Sequence, residues 1–392
     1  MDKKTALAKE AFVVGYTTDK LKKEKIYRFR YQVYIEEMGK SFKDADRKKR
    51  WLRDELDDTA VLFYVEVNGE IIASSRMNHG KITQFPEKWK KLYQMEKFSA
   101  YSDEMISLSS RLMISSEWRG SLALAKMLSE IYQYARKEGI KFDFCNCYPF
   151  LLEFYEHLGY RRYTEGFVDE DTGYHVPLVL MTEDIQHLKR VRSPLGRIAR
   201  GLDGNSDETT VWFEKQFLKQ NEYINRRLLS TEEFWHLLEE KISNNSVGKM
   251  TLFKGLSDNE IQKFIGFSTL LKIKEKEIII RPGDVGKEMF MVLDGVVEVK
   301  SSLEEDALSL AILGSGQIFG EMAFVSHSPR NAAVISITHS EMLVLTQNFF
   351  NKAIKNSPEL TAKVLFNLAN ILSSRLEVCT QNWVRSSEST GD

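Results

Sequence analysis

The apolar positions of this chain switch between a helical and an alternating period. In Lys20–Gly39, Ile26, Phe29, Val33 and Tyr34 recur at helical spacing. Val61–Val67 reads as a strand, Asn68-Gly69 as a two-residue hairpin turn, and Glu70–Met77 as its partner. Met105–Ile114 is a further strand, its hydrophobicity interrupted by Ser107, Ser109 and Ser110. Leu122–Lys137 places Leu124, Met127, Leu128, Ile131 and Ala135 on one helical face and is stopped by Gly139. A strand at Phe142–Cys147, a short helix at Pro149–Leu158 ended by Gly159, and a strand at Pro177–Met181 follow. This mixture predicts an α/β layered domain.

The pattern breaks at Ser193-Pro194, and Gly201–Asp207 reads as a loop. Two helices are expected next, the second opening at Ser230-Thr231-Glu232-Glu233 with capping-box spacing. Ser243–Gly248 breaks the chain again. Beyond it the rhythm is that of short strands: Glu277–Ile280, the turn Arg281-Pro282-Gly283-Asp284, Met289–Leu293, the turn Asp294-Gly295, and Val296–Lys300. Such spacing predicts an antiparallel barrel or jelly roll, with the helical stretch Pro358–Val378 as its lid. The expected organisation is an α+β multidomain chain. It comprises an α/β domain over 1–189, a helical connector over 190–249, a β jelly-roll domain over 250–380 and a disordered tail over 381–392.

Composition narrows the function classes. The 392 residues are 43% hydrophobic and 28% charged, with a formal net charge of −1, so no global field draws the chain to nucleic acid or anionic lipid. The basic runs at Lys20–Lys25 and Arg47–Arg53 are interspersed with Asp19, Glu24, Asp46 and Asp54 and read as solvated helix faces. Three cysteines, Cys145, Cys147 and Cys379, cannot build a disulfide framework. With no signal-peptide core and no long apolar run, a cytoplasmic protein without a membrane span is expected. Alternation puts Cys145 and Cys147 on one strand face without a third or fourth ligand nearby, so no metal site is expected.

The strongest chemical signal is Phe319-Gly320-Glu321-Met322-Ala323-Phe324, followed by Ser328-Pro329-Arg330-Asn331-Ala332-Ala333. Gly320 lets the backbone approach a ligand where a Cβ would collide. Arg330 offers a donor fork suited to a phosphate diester, and Glu321 an acceptor suited to a ribose hydroxyl. The small Ala332 and Ala333 leave room for a ligand. Together with the lead-in Leu252-Phe253-Lys254-Gly255-Leu256-Ser257, this stretch resembles the cyclic-nucleotide-binding domain family of kinase regulatory subunits, gated channels and catabolite-activator regulators. The resemblance implies that Glu321 binds the ribose 2′-hydroxyl and Arg330 the cyclic phosphate. It places Phe319, Gly320, Met322, Ala323, Asn331 and Ala332 around them. The effector would be cAMP or cGMP. Only Cys379–Asp392 follow the lid helix, too few for the helix-turn-helix of the catabolite-activator class, so DNA is not an expected partner.

In the N-terminal part, Ser110–Ile114, Trp118-Arg119-Gly120-Ser121-Leu122 and the following helix form a strand, a turn and a helix start. That arrangement aims free amides at a phosphate. Tyr155, just before a glycine-ended helix stop, is placed to give a proton to a leaving thiolate. With Arg28–Gly39, Asp54–Ala60, Ser75-Arg76 and Phe154–Tyr160, these segments resemble the GNAT acyltransferase superfamily, notably its acyl-homoserine-lactone and N-acyl amino acid synthase branches. The resemblance implies that Arg30, Asp54, Asp57 and Arg76 shape the acceptor side. It gives Leu112, Met113, Ile114, Arg119, Gly120, Ser121 and Leu122 the acyl carrier, and Tyr155 the role of general acid. The donor would be acyl-CoA or acyl carrier protein. The competing reading is a surface salt bridge for Arg30 or Asp57 and a core aromatic for Tyr155.

The expected function is a cyclic-nucleotide-regulated N-acyltransferase acting on a free amine or a protein lysine. The alternative is a non-catalytic nucleotide sensor using a degenerate acyltransferase fold as a binding surface. A homodimer or scaffold assembled through Pro358–Val378 is the third expectation.

Overall fold

The computed structural model describes residues 12–169, 172–202, 206–217, 225–244, 251–266, 268–326 and 328–389. The chain divides into two compact units, Met1–Leu228 and Leu229–Asp392.

The first unit is built on one twisted sheet. Its strands are β1 (Val13–Thr17), β2 (Val61–Val67), β3 (Glu70–His79), β4 (Ile106–Ile114), β5 (Phe142–Cys147), β6 (Arg161–Arg162), β7 (Phe167–Asp169) and β8 (Gly173–Met181). Their order is β1-β2-β3-β4-β5-β8-β6, with β7 paired to β8. The expected hairpin joins β2 to β3: Val67 faces Glu70, and both Asn68 (φ 50°) and Gly69 (φ 85°) take the left-handed conformation of a type I′ turn. Helix α1 (Lys20–Tyr31) starts at Asp19, whose side chain accepts from the Lys22 N–H, and continues as a π-turn over Gln32–Glu37. Helix α2 (Ala123–Lys137) lays Met127, Ile131, Tyr134 and Ala135 on Phe63, Val65, Ala73 and Met77. The opposite sheet face carries an aromatic core of Tyr93, Phe98, Phe142, Phe144, Tyr163 and Phe213. Helix α3 (Leu152–Leu158) ends at Gly159, φ 113°, as its sequence implied.

The segment read as a connector is shared between the units. Helix α4 (Glu208–Phe217) sinks Phe213 into the first unit's aromatic core, while α5 (Thr231–Asn244) buries Phe234 and Leu238 in the second unit. Parts of the two expected loops, 203–205 and 245–248, lie outside the described residues.

In the second unit α5 is followed by α6 (Asp258–Ile265), opened by a Ser257/Glu260 capping box. Two four-stranded antiparallel sheets follow. One has the order β9 (Thr269–Ile273), β16 (Ser340–Thr346), β11 (Glu288–Asp294), β14 (Ile318–Phe319). The other runs β10 (Ile278–Ile280), β15 (Ala333–Ser336), β12 (Val297–Lys300), β13 (Ser309–Leu313). The short helix α7 (Glu321–Ser326) leaves β14, α8 (Gln347–Asn356) closes the strands, and α9 (Pro358–Ser389) follows. The lid helix thus runs past Val378, through most of the segment expected to be a polar tail. No glycine or proline interrupts it before Gly391. Among the described residues no helix is long and apolar enough to cross a membrane.

Two buried histidines make the first unit sensitive to acid. Burial depresses His175 to about 4 and, helped by the Arg161 guanidinium, His187 to about 3. An unfolded chain takes up these protons near pH 6.5 (an ordinary histidine), whereas the folded unit refuses them until far lower. Their contribution is therefore complete above about pH 6.5 and falls as pH drops. The buried carboxyls of Asp143 and Glu156, raised by burial, work in the opposite sense, so the test is differential. The stability of wild type relative to His187→Gln is expected to shrink by about 1.4 kcal/mol per pH unit between pH 6 and 4. Denaturant melts at several pH values measure it, and a constant difference refutes it.

Candidate functional sites

The first site is a fork in the sheet. β4 and β5 pair in parallel only at Ile106–Phe142, Ser107–Asp143 and Leu108–Phe144, yet β4 runs on to Ile114 and β5 to Cys147. On the other edge of β4 the register with β3 slips by one between Ser74–Met113 and Arg76–Ser110. This bulge is centred on Arg111, whose φ of 55° is rare for a branched or bulky residue. Side chains that were fully buried up to Leu108 become half-exposed from Ser109 to Leu112, where the strand has lost its parallel neighbour. Among the described residues β4 and β5 thus part after Leu108 into a wedge between two strands of one sheet, a geometry that an extended ligand arm could enter.

Beside the wedge lies a chain of alternating charges. Asp57 takes Arg30 at 2.7 Å and Arg76 at 3.3 Å. Asp54 pairs with Arg76 and takes Arg111 at 2.9 Å. The two aspartates also cap each other's turn, the Asp54 N–H donating to Asp57 Oδ2 at 3.0 Å and the Leu56 N–H to Asp54 Oδ1 at 3.1 Å. Burial alone would raise both carboxyls. The Arg76 guanidinium beside Asp54, and those of Arg30 and Arg76 beside Asp57, outweigh it and hold both below the usual range. Arg30, Asp57 and Arg76 are fully buried, so the surface-salt-bridge reading does not describe them. Arg111 reaches the edge of the wedge with its guanidinium 5.0 Å from the Phe42 ring centre.

Tyr155 sits half-buried on α3, its ring 5.5 Å from that of Tyr160. Burial, with the Cys145 and Cys147 thiols nearby, pushes its hydroxyl well above the ordinary range, so it holds its proton at neutral pH. Arg119 and Gly120 (φ 84°) form the turn before α2, Ser121 Oγ accepts from the Ala123 N–H at 3.2 Å, and Leu122 is exposed. Arg119 reaches Glu37 at 3.7 Å. Met113 is buried against Phe29 and Val33, while Leu112 and Ile114 pack toward α2. Sequence reasoning missed Arg111 and the carboxylate of Asp143. The Ser110-Arg111 pair signalled the first, and nothing local signalled the second.

In the second unit, Arg330 is threaded into the barrel. Its Nη1 donates to the Gly320 carbonyl and its Nη2 to that of Glu288, both at 2.7 Å, and the Glu288 carboxylate lies 3.1 Å from Nη2. A Cβ at Gly286 would overlap the guanidinium, and one at Gly320 would stand 2.7 Å from Nη1. Gly320 takes φ 78°, so both space and conformation demand glycine there. The expected turn holds the arginine's backbone: Arg330 N–H donates to the Asp284 carbonyl and Gly283 N–H to that of Arg330. Glu321 is buried and takes Arg375 of α9 at 2.7 Å, while Arg375 also donates to the Ile318 carbonyl at 2.6 Å. Phe319 stacks on Phe290 with ring centres 4.9 Å apart, and Ala323 is buried. Ala332 is half-buried, while Met322 and Asn331 face outward. Two backbone carbonyls and the Glu288 carboxylate together hold the Arg330 guanidinium. Gly286, Glu288 and Arg375 were not read from the sequence, because each acquires its role only when distant segments meet.

The two units resemble an acyltransferase-type α/β domain and a cyclic nucleotide-binding sandwich. Comparison with known proteins agrees. Residues 25–184 match the family model of the N-acyl amino acid synthase FeeM, and residues 270–357 match that of the cyclic nucleotide-binding domain. The chain is 29% identical over 126 residues to the cyclic AMP receptor protein of Thermus thermophilus, covering 32% of this chain and 56% of that one. It is 28% identical over 109 residues to the cAMP-dependent protein kinase type II regulatory subunit of Drosophila melanogaster, covering 28% of each chain. This chain thus spans about half the length of the first relative and about a quarter of the second. A coenzyme A-dependent acyl-homoserine lactone synthase, BjaI, is similar in structure over 50% of this chain and 92% of that one, with 14% identity and a TM-score of 0.40.

Arg330→Ala strands the buried Glu288 carboxylate and is expected to destabilise the second unit by about 3–5 kcal/mol. Adding Glu288→Gln should recover a large part of that loss. Denaturant melts of the two variants decide it, and a double variant no better than the single one refutes the pairing.

Proposed function

We propose that this protein is an N-acyltransferase regulated by a cyclic nucleotide, moving an acyl group from acyl-CoA or acyl carrier protein to an amine. The observation that carries the reading is the β4–β5 fork, with the arginine–aspartate chain reaching β4 at Arg111. The thioester arm lies in the wedge, with the turn at Arg119–Leu122 toward the carrier phosphates. The amine attacks the thioester carbonyl, amides of Arg111–Ile114 stabilise the oxyanion, and Tyr155 protonates the thiolate. The acceptor, a free amine or a protein lysine, docks on the side of Arg111 and Asp54.

Regulation is assigned to the second unit. Arg330 takes the cyclic phosphate and Glu321 the ribose hydroxyl, with cAMP favoured over cGMP as effector. The free buried thiols of Cys145 and Cys147 fit a cytoplasmic protein. Mass spectrometry after incubation with acyl-CoA or acyl carrier protein, a panel of amines, and cAMP or cGMP tests the reading. Amide product whose yield changes with nucleotide is the expected result. Carrier binding without turnover would establish the sensor instead.

Self-association follows from α9. Ala362, Leu365, Ala369, Leu372, Leu376 and Cys379 recur at alternating three- and four-residue steps and are half-exposed or exposed. This is the seam of a two-stranded coil. Leu365→Lys with Leu376→Lys should convert a dimer to a monomer by light scattering, and a wild-type monomer refutes the seam.

A further inference from the structure

The proposed acyl transfer uses Tyr155 as acid but names no group to receive the amine's proton. The structure holds a buried carboxylate at the base of the fork. Asp143 lies on β5 opposite Ser107, one pair before the parallel strands part. Its Oδ1 accepts from Ser107 Oγ at 2.7 Å and Ser109 Oγ at 2.9 Å, and its Oδ2 from Tyr160 OH at 2.6 Å.

Three features separate this carboxylate from an ordinary structural one. Its bonds come from three hydroxyls rather than a cation, so each partner can pass a proton as well as donate a bond. One of them, Ser109, is the first β4 residue beyond the last strand pair and is half-exposed, whereas Ser107 is fully buried. The third, Tyr160, packs edge-on against Tyr155, so the acid of the proposed reaction adjoins the same network. A buried aspartate held by neutral donors is costly unless its charge is used. The titratable groups around it are Tyr160, Tyr155, Cys145 on its own strand, Tyr93, and Tyr132 of α2, which lines a small cavity with it. None of these is cationic. Burial raises the Asp143 carboxyl, which brings its affinity for a proton closer to that of a working base.

We propose that Asp143 receives the proton of the attacking amine through the Ser109 hydroxyl, with Ser109 touching the substrate and Asp143 acting through it as a positioning residue. This rests on the acyl-transfer reading. The amine nitrogen forms the C–N bond as the C–S bond breaks. The amine proton goes to Ser109 Oγ while the Ser109 proton moves to Asp143, and the departing thiolate takes the Tyr155 proton. The proton held by Asp143 then returns to Tyr155 through Tyr160 and solvent. Amine and thioester have become amide and thiol, and the protein is restored.

The experiment measures kcat and KM against pH for the full chain with a reactive acyl-CoA and amine pair. Asp143→Asn and Ser109→Ala are compared with wild type, and each is checked for folding by melting and by nucleotide affinity. Wild type should lose kcat on the acid side as Asp143 is protonated. Both variants should lose about 100-fold in kcat, keep KM within about threefold, and lack that acid limb. Ser109→Ala keeps two of the three donors and therefore reads the relay even if Asp143→Asn fails to fold. A folded Ser109→Ala protein with wild-type kcat and an unchanged acid limb overturns the relay while leaving acyl transfer standing. A wild-type protein that turns over no amine overturns both.

Discussion

Burying a guanidinium without a matched charge costs several kcal/mol, and in both units the buried arginines Arg30, Arg76 and Arg330 each face a carboxylate. In the first, Arg30 and Arg76 are fully enclosed, and Asp57 and Asp54 alternate with them out to Arg111. Removing Asp57 takes away the carboxylate that faces the fully buried Arg30. The chain therefore fixes α1, the Asp54–Asp57 turn, β3 and the bulge of β4 relative to one another. In the second, Arg330 gains two backbone carbonyls and one carboxylate, and two glycines supply the space. The same kind of side chain thus ties distant elements together in each unit.

The difference between the two sites lies in what remains available. The arginine–aspartate chain is closed on itself except at its end, where Arg111 and Asp54 are partly exposed. Only that end can meet a ligand, so the buried part acts by holding the bulge. β4 leaves β5 after Leu108, just before the bulge. A strand pairing on both edges keeps its amides occupied, whereas among the described residues β4 beyond Leu108 pairs with β3 alone.

The sequence carried the local elements well. Asn68-Gly69 specified its hairpin, Gly139 and Gly159 their helix stops, and the Ser/Gly/Pro punctuation the strand-rich unit, because each depends on backbone preferences within a few residues. The cassette of Gly320, Glu321 and Arg330 was legible because one short segment brings its members together. What the sequence withheld was long-range. Asp143 looks like an ordinary strand residue until Ser107, Ser109 and Tyr160 converge on it. Glu288 and Arg375 lie 42 and 54 residues from their partners. The alternation of Ser109, Ser110 and Arg111 also conceals a bulge that only the register with β3 discloses.

Arg375 places a condition on how a nucleotide could act. A ligand shifts a conformational equilibrium only by its differential affinity for the two states. The acid suited to a ribose hydroxyl is held by an arginine that belongs to α9, and α9 also bears the exposed apolar seam. A sugar hydroxyl at Glu321 would meet that guanidinium, so a ligand there would act on α9 through Arg375. A coupling of about 1–3 kcal/mol, the usual range for allosteric proteins, is of the order of one charge-assisted hydrogen bond exchanged for another.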